Sequence, residues 1–335
     1  MCRVSVLCLL ALGLPTAIAH HGSVNYFDLD NVATIEGEIV SVAWRNPHVA
    51  FELRRTDDGG ANEVWEIEGS SMNALARVGV GPEAVHVGDH VQITGALSKL
   101  GLAQMAGHVM TLADGTEVPI WPRPAMKLGK DVRPAPLSSA AIEEERARAR
   151  SIFRTWARPD LRGLFLENGY LPYTDAAIAA RAAWDPLSDP VLQCVPRGMP
   201  SVMNAPLPVR FVDQGESILL RLEEWDQERT IHLADAVDPA TQPRSPLGYS
   251  VGRWEGSTLI VTTTRISDVY FDDEGTPQSE DAVITERFIL SPDESRLDYE
   301  SIHDDPYTFT EPARQSSYWD WVPGEQIRRF DCIAQ

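Results

Sequence analysis

The chain has 335 residues, of which 43% are hydrophobic and 23% charged, and its formal net charge is −20. The apolar content excludes a disordered chain, and the length allows two domains, each with its own core. An acidic excess of this size repels phosphate backbones and anionic headgroups, which excludes nucleic acid as a partner.

The first 19 residues read as an export signal. Arg3 gives the positive start, residues 4–14 form an uncharged apolar run, Pro15 breaks it, and Ala17 and Ala19 are the small residues a signal peptidase requires. The run is too short for a membrane span. Cys8 follows Leu7 rather than a small residue, which excludes a lipid-attachment site. The expectation is a soluble periplasmic or secreted protein that begins at His20.

Residues 33–44 then alternate apolar and polar side chains, as a half-buried strand does, and similar runs lie at 49–54, 63–68, 90–95 and 108–112. Hairpin turns are expected at 57–60 and 114–115. Residues 71–79 suit a two-turn helix with a glycine stop. Five strands with a helix between the third and fourth is the order of a small OB-type barrel, placed at 20–121.

Residues 122–193 read as a connector. Pro119, Pro122, Pro124, Pro134 and Pro136 predict a stiff, extended linker. A helix capped near Ser138 follows, its apolar face formed by Ile142, Ala149, Ile152, Phe153 and Trp156, and a second runs from Thr174 to Trp184 ahead of Pro186. The region 194–335 returns to strands at 209–213, 217–225, 229–233, 248–254, 258–264, 283–290 and 296–302. It reads as an antiparallel meander, either a closed barrel or a sandwich, so the fold class is mainly β.

Cys2 and Cys8 leave with the signal, so Cys194 and Cys332 are the mature cysteines. In an oxidising compartment such a pair forms a disulfide, contributing about 3 to 5 kcal/mol in the chain-entropy model. A metal site or a catalytic thiol is the weaker reading, because neither has a second Cys or a His at ligand spacing.

Three stretches carry a resemblance: His20-His21-Gly22-Ser23, residues 37–48 ending in Trp44-Arg45-Asn46-Pro47-His48, and residues 88–95. Together they resemble the DUF6152 family of exported bacterial proteins, whose members open with a His-His-Ser-like mature end and carry a Trp-x-Asn-Pro-His turn. Gly22 stands where serine is usual. The resemblance implies a fold and a compartment but no reaction. Residues 194–200, residues 248–259 and the late Cys332 resemble the uncharacterised C-terminal region often fused to that family, which implies the domain division and the disulfide.

His20, His21 and His48 are the candidate metal ligands. After cleavage behind Ala19, His20 offers an α-amine and an imidazole to one ion, a chelate that suits Cu(II) best and zinc next. The competing reading is a frayed terminus with His48 hydrogen-bonded in its turn. His86, His90 and His108 are expected as solvated turn histidines. In the C-terminal β region His232, His303, Asp304, Arg253 and Glu255 are the candidate catalytic groups, since a buried His and carboxylate could exchange protons with an apolar ligand. Equally, Trp254-Glu255-Gly256-Ser257 reads as a hairpin corner and Asp304-Asp305-Pro306 as a turn. Two functions are open: a metal-binding or small-ligand-binding protein using the mature N-terminus, or an isomerase, hydratase or hydrolase acting on a small hydrophobic molecule.

Overall fold

The computed structural model describes residues 26–56, 62–159, 163–167, 169–233 and 237–334. The turn expected at 57–60, like His20 and His21, lies outside the described residues.

The first β unit comprises β1 (Phe27–Ala43), β2 (Ala50–Thr56), β3 (Asn62–Glu68), helix α1 (Met72–Arg77), β4 (His90–Ser98), β5 (Gln104–Leu112) and the short β6 (Glu117–Val118). Strand β1 pairs antiparallel with both β2 and β4, β4 pairs with β5, and β5 closes on β3 in parallel. This is the five-stranded ring expected of an OB-type barrel. Two register shifts in β1, between Asp28 and Val32 and between Ile39 and Ser41, bend the long strand around the ring. Gly37 sits where the strands press together, for a Cβ there would lie 2.4 Å from the Arg54 carbonyl oxygen. Inward positions of every strand fill the ring, with Ile39, Phe51, Leu53, Ile67, Ile93 and Met110 buried. Each such side chain contributes about 1.5 to 3 kcal/mol of burial. Helix α1 begins where Ser71 Oγ accepts a hydrogen bond from the Ala74 N–H, and it sends Leu75 into the same core.

The connector departs from the expected extended linker at its start, while residues 130–138 carry no regular secondary structure. Helix α2 (Pro122–Lys127) starts at a proline, where the missing N–H costs nothing, and buries Pro122 and Ala125. Helix α3 (Ser139–Arg148) ends eight residues short of Trp156 and has no side-chain cap at Ser138. The expected helical face is not formed, because Ala149 turns extended (ψ 127°) and Trp156 enters β7 (Thr155–Trp156), where burial in the second core outweighs helical spacing. After β8 (Phe165–Leu166), helix α4 (Asp175–Ala183) matches expectation, with Thr174 accepting from the Ala177 N–H.

The second unit contains β9 (Val209–Asp213), β10 (Ser217–Leu222), β11 (Gln227–His232), β12 (Tyr249–Glu255), β13 (Thr258–Thr264), β14 (Val283–Leu290), β15 (Arg296–Asp304) and β16 (Ala313–Asp320). Neighbours in sequence pair throughout, antiparallel except for β11 with β12. The sheet curls until its ends meet: β7 pairs with β9, while Ala157 and Asp320 exchange backbone hydrogen bonds of 3.0 and 2.8 Å. Strand β16, absent from the sequence expectation, makes that closure. Trp156, Phe211, Phe288, Tyr299 and Trp319 fill the core.

The two rings meet along a buried seam. Arg77 grips Glu223 through two bonds of 2.7 Å, and Asn73 Nδ2 and the Arg328 N–H each donate to Glu223 at 2.8 Å. A fully buried carboxylate is stable only with such partners. Cys194 and Cys332 are joined in a disulfide beside Ala74, Val191, Leu207, Trp225 and Phe330, and Ile333 N–H donates to the Asn46 carbonyl across the seam.

A candidate functional site at the seam

The cleft begins with the turn after β1. Asn46 is buried and donates to Asn73 Oδ1 at 3.1 Å, so the turn is pinned and His48 is held on the cleft wall. His48 Nδ1 lies 2.9 Å from the Gly69 carbonyl oxygen and 3.1 Å from Glu68 Oε1. Two oxygens around one ring nitrogen place the proton on Nδ1. The edge of Trp121 packs against the imidazole at 5.6 Å.

The facing wall comes from the turn after β10. Trp225 (φ 63°) and Asp226 (φ 51°) are both left-handed, a conformation costing of order 1 kcal/mol or more for each non-glycine residue. It persists because Trp225 packs on Phe330 and Asp226 accepts the Phe330 N–H at 3.0 Å. The expected strand 217–225 therefore ends at Leu222. The turn separates two adjacent glutamates, sending Glu223 to Arg77 and Glu224 to the cleft. Burial of the Glu224 carboxyl raises its pKa to about 7, with Arg197 and His48 pulling down and Asp273 and Glu223 pushing up. The residue keeps part of its surface on the cleft. Arg197, paired with Asp189 at 3.0 Å, and Asp273 complete a space of about 200 Å³. A histidine whose ring is fixed by hydrogen bonds, sharing a cleft with a carboxyl that titrates near neutrality, can bind a cation or exchange a proton.

The other sequence candidates are scattered. His86 and His90 are exposed on the first ring. His108, expected in solvent, is buried: β5 begins at Gln104, which makes it a mid-strand residue, and α2 lies directly behind the strand. Burial and then the Lys127 charge lower its pKa to about 4. In the second ring His232 stacks on Tyr249 at 4.7 Å, while Arg253 and Glu255 are exposed and paired at 2.8 Å. His303 is buried, with Nε2 2.9 Å from Ser301 Oγ and Phe271 against its ring, and burial lowers its pKa to about 3. Asp304 beside it is exposed, and the strand register puts Arg253 and Glu255 at the other end of the ring. These five side chains do not form one constellation.

The charged cluster inside the second ring is a different one. Arg229 donates to Glu286 Oε1 at 3.0 Å, to Thr263 Oγ1 at 2.6 Å and to Ser250 Oγ at 2.9 Å, and the Tyr299 hydroxyl donates to Glu286 at 3.1 Å. Its hydrogen bonds close on themselves, which suits structure better than chemistry. Sequence reading passes over Glu286, and over Arg77, Arg197, Glu223, Glu224 and Asp273, which come from a helix end, a turn and loops far apart in the chain. One local signal exists for the cleft: Glu223-Glu224-Trp225-Asp226 joins two strand patterns without a glycine.

Among the described residues no three His, Cys, Asp or Glu side chains converge as a ligand set, and no helix is long and apolar enough to cross a membrane. Comparison with curated proteins found no match. Residues 8–106 match the model of a family of unknown function, DUF6152, which covers the residues ahead of the first ring and most of that ring.

Proposed function

We propose that this is an exported cation-binding protein, that its site is the seam cleft at His48, and that the cation is Cu(II). The His20 α-amine and imidazole and the His48 imidazole are the donors, with His21 available as a fourth. The supporting observation is the pinned His48 ring: a carbonyl or carboxylate behind one ring nitrogen is the usual way a protein fixes a ligating histidine. The carboxyl groups of Glu68, Glu224 and Asp273 around the cleft favour a cation over an anion. The described residues alone do not supply a full ligand set, so the remaining donors come from the N-terminus. Reach permits this. Tyr26 clusters with Phe27 against Trp121, which itself touches His48, and the six residue steps from His20 to Tyr26 reach at most about 20 Å. Export is supported by the signal pattern together with a disulfide, which persists in oxidising compartments.

The test is a Cu(II) titration of protein processed to start at His20, compared with protein carrying one extra residue ahead of it. The extension keeps both imidazoles and moves the amine, so binding should weaken roughly tenfold or more, as should binding by His48→Ala with an unchanged fold. Equal uptake by all three proteins would overturn the proposal.

A further inference from the structure

Beyond β16 the described chain belongs to no helix or strand, yet residues 326–333 run along the seam and hold three sides of the cleft. On the first unit, the Ile333 N–H donates to the Asn46 carbonyl at 3.0 Å, beside a bridge between Asn46 and Cys332. Asn73, which accepts from Asn46, donates in turn to the Arg329 carbonyl at 3.2 Å. On the second unit, the Arg328 N–H donates to Glu223 at 2.8 Å and the Phe330 N–H to Asp226 at 3.0 Å. The Phe330 ring lies 5.1 Å from that of Trp225 and borders the cleft itself. The disulfide ties this strap to the third side, because Cys194 stands in the loop pinned by the Asp189–Arg197 ion pair. Each hydrogen bond contributes only about 1 kcal/mol net, so a segment without regular structure depends on its covalent tie to stay docked. That tie is within reach of a reductant: both cysteines are half-buried, and their neighbours Val195 and Ile333 are 50% and 56% exposed.

We infer, resting on the cleft as the cation site, that the strap is a redox-set latch: while Cys194 and Cys332 are joined it holds His48, Glu224 and Arg197 in place, and reduction of the bond releases it and lowers cation affinity. A dithiol reductant supplies the change. Its first thiolate attacks one sulfur of the bond, its second displaces the mixed disulfide, and two electrons and two protons end on two protein thiols while the reductant closes into its own disulfide. Once the strap leaves, the left-handed Trp225-Asp226 turn loses the Phe330 contacts that maintain it. The Asn46 carbonyl loses its donor at the same moment, so the turns that aim Glu224 and His48 relax together. The cores of both rings take no side chain from the strap, so its release stays local.

The test compares hydrogen exchange of metal-free protein, processed to start at His20, with that of the Cys194→Ser, Cys332→Ser variant. Release predicts that the Asp226, Phe330 and Ile333 amides exchange roughly tenfold faster or more in the variant, while amides of β4 and β14 keep their protection. Parent protein opened with dithiothreitol should exchange as the variant does and recover when reoxidised. In Cu(II) titrations the variant, which has no thiol to capture the ion, should bind more weakly by roughly tenfold or more. Unchanged strap amides would overturn the latch, as would a variant that fails to fold or exchanges faster throughout both cores, because the bond would then hold the whole fold. Faster strap exchange with unchanged copper affinity would overturn its hold on the site. Copper uptake by the parent that does not depend on His48 would sink the cation reading instead, and the exchange rates would still decide whether the bond latches the strap.

Discussion

The core of the first ring is built from apolar side chains, whereas the second carries an arginine and a glutamate across its centre, both fully buried. Yet the charges of the second interior do not ask for a ligand, because they partner one another. In the second ring the Arg229 donors and the Glu286 acceptors are matched by Ser250, Thr263, Tyr299 and each other. Titratable side chains that face a cavity lie instead where the rings meet, at His48 and Glu224. A buried charge is therefore a poor marker of a site when its hydrogen bonds close; a half-buried charge on a cavity is a better one.

The largest expected effect breaks the second interior. Glu286→Ala leaves Arg229 buried without its counter-charge and should cost about 3 to 5 kcal/mol in denaturant unfolding, whereas Arg229→Met with Glu286→Leu should recover most of the loss. A cost below about 1 kcal/mol for the single variant would mean that the pair is solvated. Next is the seam. Replacing Cys194 and Cys332 by serine opens a loop spanning 138 residues and should cost about 2 to 4 kcal/mol, read as a lower thermal midpoint.

Acid separates the rings from the cleft more finely. His303 and His108 are neutral in the folded protein, with pKa values lowered to about 3 and about 4, while the unfolded chain takes up protons near pH 6.5. The unfolded state thus binds more protons as pH falls below 6.5, and each histidine withdraws up to about 1.4 kcal/mol per pH unit until its folded pKa is reached. His303→Gln should flatten that slope by comparison with the parent. Glu224 has the opposite sign. Its folded pKa is raised to about 7, so the folded state binds more protons between about pH 4.5 and 7, and stability falls as pH rises through that window. Glu224→Gln should therefore stabilise the protein at pH 8 by about 1 to 2 kcal/mol, reduced from the full shift because solvent reaches the cleft, and should make no difference at pH 4. Equal stabilisation at both pH values would show that the gain does not come from ionisation.

Legibility in the sequence depends on how local each signal is. The strands of the first ring alternate along the chain, and Ser71 with Gly79 brackets the helix between them, so that unit could be read directly. The disulfide is legible from Cys194 and Cys332 once the first two cysteines are assigned to a signal segment, and His48 stands out in its Asn-Pro-His turn. Trp156 misled because its spacing from Ile152 fits a helix equally well, and only the second core decides between the two. Pro122 misled in another way, since proline both extends a linker and opens a helix. Strand β16 was missed because Arg314, Gln315, Ser316 and Ser317 give it little apolar alternation. His108 could be placed only by knowing that α2 lies behind its strand. The cleft was illegible as a whole: Arg197, Glu224 and Asp273 are separated by dozens of residues, and only the closure of the second ring against α1 brings them to His48.

The smallest structural perturbation bears on the central claim that the seam holds the functional site. Protein processed to begin at His20 is given one equivalent of Cu(II), and its electron paramagnetic resonance spectrum is compared with that of the His48→Ala variant. Coordination at the seam predicts that the parent spectrum shows an imidazole nitrogen that the variant lacks, with both proteins folded. Superimposable spectra would contradict it, and would place any copper on the N-terminus alone.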